Sequence, residues 1–155
     1  MALFTSTHLN RIDKKGRISV PAMWRPALGQ TSFNGIVVIR SYRAAAIEGC
    51  GYDRLERMNE RMQTPGAMTD AERATAELLM SRVQPLPFDT EGRIMLPRDL
   101  TEFAGIQGDA LFVGLGPIFE LWEPGGHQRH TDTAEAQARA DRPSLRDIGL
   151  LGGKP

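Results

Sequence analysis

Apolar residues along this chain gather in short runs of three or four, with Gly, Pro, Asn or Asp close by, and that pattern predicts short buried strands. Ile18-Ser19-Val20 and Ile94-Met95-Leu96 form one pair of runs. Ile36-Val37-Val38-Ile39 and Ala110-Leu111-Phe112-Val113 form a second pair, and Ala45-Ala46-Ile47-Glu48 and Phe119-Glu120-Leu121-Trp122 a third. Helical signals fall between them. Pro21 opens a short helix over 22–28 with Gly29 closing it, and Pro97 opens 98–104 with Gly105 closing it. Proline suits the first helical position, where the N–H has no partner, and glycine tolerates the left-handed cap. Residues 52–62 carry Leu55, Met58 and Met62 at helical spacing. Pro65-Gly66 interrupts, and Thr69-Asp70-Ala71-Glu72 reads as a capping box for a helix running to about Arg82. A polar, Ala-rich helix is expected near 133–140, followed by a mobile tail.

The runs repeat. Ile12-Asp13-Lys14-Lys15-Gly16-Arg17-Ile18-Ser19-Val20-Pro21 and Phe88-Asp89-Thr90-Glu91-Gly92-Arg93-Ile94-Met95-Leu96-Pro97 share one phrase at a spacing of 76 residues. The chain is therefore two copies of one supersecondary unit. The expected layout is a first repeat over 7–51, helices over 52–82, a second repeat over 83–126, and a helix with tail over 127–155. One unit alone leaves strand edges unpaired and apolar faces uncovered, whereas two interleaved units close a small barrel. The expectation is an α+β, mainly β fold: a pseudo-twofold barrel with both Asp/Gly/Arg turns displayed.

Composition adds little to this. The 155 residues are 41% hydrophobic and 25% charged, with a single cysteine, Cys50, so no internal disulfide forms. No apolar run approaches the ~18 residues that span a bilayer, and the first residues are too short an apolar patch for a signal peptide. These features point to the cytoplasm. Net charge is zero, yet residues 1–61 hold ten Lys/Arg against five Asp/Glu, and the remainder reverses the sign. A basic face and an acidic face are expected.

Gly16 and Gly92 supply the positive φ of a tight turn, and Asp13 and Asp89 suit a carboxylate that accepts backbone N–H bonds. Arg17 and Arg93 have three open readings. They brace their own Asp, they bond carbonyls elsewhere, or they point outward to grip phosphate or a guanine edge. The first turn's neighbourhood favours a polyanion, because Arg11, Lys14, Lys15, Arg17 and Arg25 face only Asp13. Thr90 and Glu91 replace the lysines in the second turn, so the first turn is expected to dominate affinity.

The doubled pattern, Asp13-x-Lys15-Gly16-Arg17-Ile18-x-Val20-Pro21 and Asp89-x-x-Gly92-Arg93-Ile94-x-Leu96-Pro97, resembles the MraZ family of bacterial transcriptional regulators. Arg25, Ser81-Arg82, Val113-Gly114 and Phe119-Glu120-Leu121-Trp122-Glu123 extend the resemblance over about residues 4–127. It implies two SpoVT-AbrB-type swapped-hairpin halves in a double-psi-like barrel. It also implies rings of about eight to twelve subunits, closed by a head-to-tail interface. Such rings bind tandem boxes upstream of the division and cell-wall gene cluster, including the regulator's own gene, usually as repressors. The family's Asp-x-x-x-Arg signature maps onto Asp13/Arg17 and Asp89/Arg93. Together with the basic cluster and the turn glycines, the expected DNA-binding set is Arg11, Asp13, Lys14, Lys15, Gly16, Arg17, Asp89, Gly92 and Arg93, with nucleoid association, no cofactor and no membrane.

Other chemistries read weakly. His127-x-x-His130 has metal-like spacing without a third ligand, and His8 lies apart. Cys50, between two glycines, reads as a small buried thiol. Gly114-Leu115-Gly116 is too short for a phosphate loop. No enzyme is expected. A ring that binds protein through Met58, Met62, Met68 and Met80 is the remaining alternative, with core or inter-subunit packing the plainer role for those methionines.

Overall fold

A computed structural model describes residues 3–28 and 31–151; Gly29, expected to end the first helix, lies outside them. The chain divides into two compact units, Met1–Pro124 and Gly125–Pro155. The first unit runs β1 (Thr7–Arg11), β2 (Arg17–Ser19), a 3-10 turn (Ala22–Trp24) continuing into α1 (Arg25–Leu28), β3 (Gly35–Arg40) and β4 (Ile47–Cys50). After α2 (Tyr52–Gln63) and α3 (Asp70–Arg82) the plan recurs as β5 (Gln84–Pro87), β6 (Arg93–Met95), α4 (Arg98–Ala104), β7 (Asp109–Gly114) and β8 (Phe119–Trp122). The class is α+β and mainly sheet.

Six strands form one antiparallel sheet in the order β1-β7-β8-β4-β3-β5, and β2 pairs with β6 in a separate ribbon. Exchanging each strand for its counterpart in the other repeat returns the same order reversed, which is the mark of a pseudo-twofold. The axis passes between β4 and β8, where Glu48 stands opposite Glu120, and through the ribbon, where Ile18 stands opposite Ile94. The first strand of repeat one does not pair with its own repeat. It lies on β7, in register from Thr7↔Val113 to Arg11↔Asp109. The halves are therefore swapped, and neither completes a sheet alone.

Hydrogen bonds do not close these strands into a barrel, because β1 and β5 remain sheet edges. The sequence of β5 explains one edge. Gln84, Leu86 and Phe88 alternate toward β3, with Phe88 N–H donating to Asn34 O at 2.9 Å. Pro85 and Pro87 fall on the outward positions and offer no donor there. The ribbon covers the sheet instead. Ile18 and Ile94 are each 1% exposed and join one core with Phe4, Trp24, Ile36, Phe112, Phe119 and Leu121 from both repeats. Trp24 sits edge-on or tilted to Phe4, Phe112 and Phe119 at 5.2–5.8 Å between centroids, and its indole N–H donates to Thr5 O at 2.9 Å. Each such side chain contributes ~1.5–3 kcal/mol by leaving water.

The helix ends follow local chemistry. Gly105 takes φ 68 and caps α4 as expected. Thr69 Oγ1 accepts from Glu72 N–H and the Glu72 carboxylate accepts from Thr69 N–H, both at 3.1 Å, so the capping box of α3 is made. Two elements differ from expectation. β4 begins at Ile47 because 42–46 bend back, with Ser41 N–H bonded to Ala46 O at 3.0 Å. After β8, α5 spans Pro124–Asp141, starting nine residues before the expected 133. Beyond it Leu145–Leu150 forms a 3-10 helix on a Ser144/Asp147 capping box, where a mobile tail was expected.

Candidate nucleic-acid interface

The two repeated turns fold alike. Gly16 N–H donates to Asp13 O at 3.0 Å and Asp13 N–H to Arg17 O at 2.9 Å; the same bonds join Gly92 to Asp89 and Asp89 to Arg93 at 3.1 and 2.8 Å. Gly16 and Gly92 take φ 87 and 75, a region that L side chains avoid. Within each turn one carboxylate oxygen accepts two backbone N–H groups. Asp13 Oδ1 takes Lys15 and Arg17 at 3.0 and 2.8 Å, and Asp89 Oδ1 takes Glu91 and Arg93 at 2.8 and 2.9 Å.

The second carboxylate oxygen holds the arginine. Arg17 Nε donates to Asp13 Oδ2 at 2.7 Å, and Arg93 Nε to Asp89 Oδ2 at 2.9 Å. The backbone N–H of Arg17, followed by its side chain, holds the Asp13 carboxyl below the usual carboxylate range; Asp89 is lowered first by the backbone N–H of Arg93, then by that of Glu91 and by the Arg93 side chain. The Asp89 hydrogen bond raises Arg93 in turn. Bracing through Nε leaves the terminal nitrogens of the fork for other acceptors. Among the described residues those of Arg17 have no side-chain partner, whereas Arg93 Nη2 also meets Glu91 Oε2 at 3.2 Å. The two arginines are 32% and 26% exposed. The bracing and outward readings are thus compatible, and the carbonyl reading is not what the turns show.

The strand pleat puts Arg17, Ser19, Arg93 and Met95 on the outer face of the β2–β6 ribbon, while Ile18 and Ile94 point into the core. Both arginines therefore lie on one surface of one two-stranded ribbon. Lys14 and Lys15 are exposed at the first tip. Arg11 ends β1 opposite Asp109. Arg25 is the surprise. Sequence proximity places it with the first turn, but its guanidinium lies against Gly92 at the second. Sequence reading also passed over Ser19 and Met95, although the alternation Arg-Ile-x in both repeats was the available signal.

Elsewhere, the Cys50 thiol is pushed up to about 11, mainly by burial, and is not poised for nucleophilic work. Among the described residues no three His, Cys, Asp or Glu side chains are grouped to hold a metal, and no helix is long and apolar enough to cross a membrane.

Two swapped repeats, each presenting an Asp-braced arginine on a shared ribbon, define a duplicated, pseudo-twofold chain. Residues 80–147 match the family model described as "MraZ protein, putative antitoxin-like". A protein of Rickettsia canadensis named "Transcriptional regulator MraZ" is 38% identical over 147 residues, covering 95% of this chain and 99% of the relative. Relatives of the same name from Rickettsia akari and Rickettsia bellii are 37% identical over similar spans. The chain belongs to the MraZ family.

Proposed function

We propose that this chain is a transcriptional regulator that grips duplex DNA with the β2–β6 ribbon and its two turns. The observation that carries the reading is the pair of Nε-braced arginines on one ribbon face. A two-stranded ribbon fits the major groove, and a guanidinium fork fixed from behind matches guanine O6/N7 or a phosphate. In this reading Gly16 and Gly92 shape the tips, and Asp13 and Asp89 aim Arg17 and Arg93. Lys14, Lys15 and Arg11 neutralise phosphates. The first tip, where Arg17 faces no glutamate, contributes most. Relatives named as transcriptional regulators support the same role.

A neutral protomer with one small basic tip binds DNA weakly. Assembly into a closed ring of about eight to twelve copies on tandem direct repeats raises avidity by about 10²–10⁴. The inter-repeat helices supply a face for that assembly. No residue of α2 is fully buried, and Leu55, Met58 and Leu79 line an open cavity of about 400 Å³ between the helices and β3/β4. In this reading 7–51 and 83–126 are the paired repeats, 52–82 the inter-repeat helices and 127–155 a C-terminal segment. The proposed targets are boxes upstream of its own gene and the division and cell-wall cluster, with repression as the outcome and the nucleoid as the location.

The test is a salt series of anisotropy titrations on a duplex from upstream of this gene. The wild type should show log K falling steeply with log salt. Arg17→Ala should abolish specific binding with no more than a small drop in melting temperature, and Lys15→Ala should mainly flatten the salt slope by about one. If Arg17→Ala melts much lower and its folded fraction still binds, the arginine is only a brace and the assignment fails.

A further inference from the structure

The outer face of the ribbon is not chemically symmetric. In register, Met95 stands directly across from Arg17, and Ser19 across from Arg93. Met95 is 57% exposed, and its Cγ comes within 3.9 Å of where a Cβ on Gly16 would sit, so the side chain lies beside the first tip. Packing does not require a methionine there. The pseudo-twofold partner position holds exposed Ser19 on the same backbone. A large apolar side chain is thus held in water amid a cationic face, beside the less encumbered of the two arginines.

We propose that Met95 reads the C5-methyl of a thymine adjacent to the base edge taken by Arg17; this rests on the DNA-binding role above. The thymine methyl is the one apolar group on the major-groove edges of the four bases. Methionine is flexible and polarizable enough to cover it. Side chains directly opposite in an antiparallel pair stand ~4.5–5.5 Å apart at Cβ. Successive base pairs rise about 3.4 Å. Neighbouring ribbon positions therefore meet neighbouring base pairs. The Arg93/Ser19 end has no methyl-reading group, so recognition has a direction despite the pseudo-twofold fold. Directional contacts suit boxes repeated head to tail.

Deoxyuridine removes the methyl and nothing else. Titrations compare the upstream duplex made with thymidine against the same duplex with deoxyuridine at one position per box, tested position by position. One position should weaken wild-type binding about fourfold per box, the effect of ~0.8 kcal/mol for one buried methyl. Met95→Ala should bind the thymidine duplex more weakly and lose the difference between the duplexes, and Met95→Leu should keep it. Ser19→Ala should leave the difference as it is. Equal wild-type affinity for both duplexes overturns the proposal, as does a Met95→Ala variant that still discriminates. A fall in melting temperature that accounts for the binding loss of Met95→Ala makes it a packing residue and overturns the proposal too. Wild-type chain that binds no duplex in a salt-dependent way overturns the DNA-binding role as well, so the two failures are distinguishable.

Discussion

The guanidinium of Arg25, in the first repeat, lies against Gly92 at the tip of the second repeat's turn, on the ground a Cβ would occupy. Gly16, its counterpart, meets the Leu96 carbonyl instead, and its own carbonyl accepts Leu96 N–H at 2.8 Å. The pseudo-twofold is thus broken at the tips. The cation that sequence order assigns to the first turn is delivered to the second, where Thr90 and Glu91 stand in place of lysines.

Gly92→Ala meets two obstacles, a φ of 75 and the Arg25 side chain. The left-handed backbone costs roughly 1–2 kcal/mol with a Cβ, and the long arginine swings away at little cost. Urea titration should show a midpoint shift of that size. Gly92→Ala combined with Arg25→Ala should be about as unstable as Gly92→Ala alone, because backbone strain dominates. If the double variant regains wild-type stability, side-chain collision outweighs backbone strain.

Asp13→Asn keeps an oxygen for the Lys15 and Arg17 N–H groups but loses the charge that holds Arg17 Nε at 2.7 Å. The turn should survive with a small drop in melting temperature, while the guanidinium becomes unrestrained. Affinity for the upstream duplex should fall roughly tenfold or more, the scale of one lost bidentate contact. Asp89→Asn should cost less, because Glu91 also holds Arg93. Equal losses would mean that the two tips contribute alike.

Much of this site was legible before any fold was known. The repeated phrase located both turns, Pro97 and Gly105 bracketed α4, and Thr69/Glu72 marked the start of α3, because each signal is local backbone chemistry. What stayed hidden depends on partners distant in the chain. Nothing in Thr7–Arg11 says that its ladder partner is β7 rather than a strand of its own repeat. Arg25 stands four residues past Pro21, yet only the swap brings it to Gly92. The early start of α5 was masked by Gly125-Gly126, whose low helix propensity reads as a turn. The open barrel edge was in the sequence all along, in Pro85 and Pro87.

Acid should report on the braces. Asp13 and Asp89 both sit below their ordinary value of 3.8 in the fold, through backbone and then arginine hydrogen bonds. The unfolded chain therefore takes up protons at these groups more readily than the folded one. Their contribution is complete above the ordinary carboxylate range and is lost as pH falls through the depressed values. Glu72, lowered by Thr69 in the capping box of α3, adds in the same direction. The urea midpoint of the wild type should decline below about pH 4. The decline should be shallower in the Asp13→Asn/Asp89→Asn double variant. Identical slopes would assign the acid sensitivity to other carboxylates.

The seam between the halves offers the last test. At the pseudo-axis Gly49 of β4 stands opposite Phe119 of β8, and the phenyl ring fills the volume a Cβ at Gly49 would need. Phe119 is wholly buried and stacks among Phe4, Trp24 and Phe112, so it has no room to retreat. Gly49→Ala should therefore destabilise by about 1–3 kcal/mol, the usual range for overpacking a dense core. Gly49→Ala with Phe119→Leu should lose less than the sum of the two single changes, since the smaller side chain vacates the contested space. A double-mutant cycle by urea denaturation measures that coupling. Strict additivity would mean that the β4–β8 seam yields by strand separation, and that the two halves are joined chiefly by the swapped β1 and the ribbon.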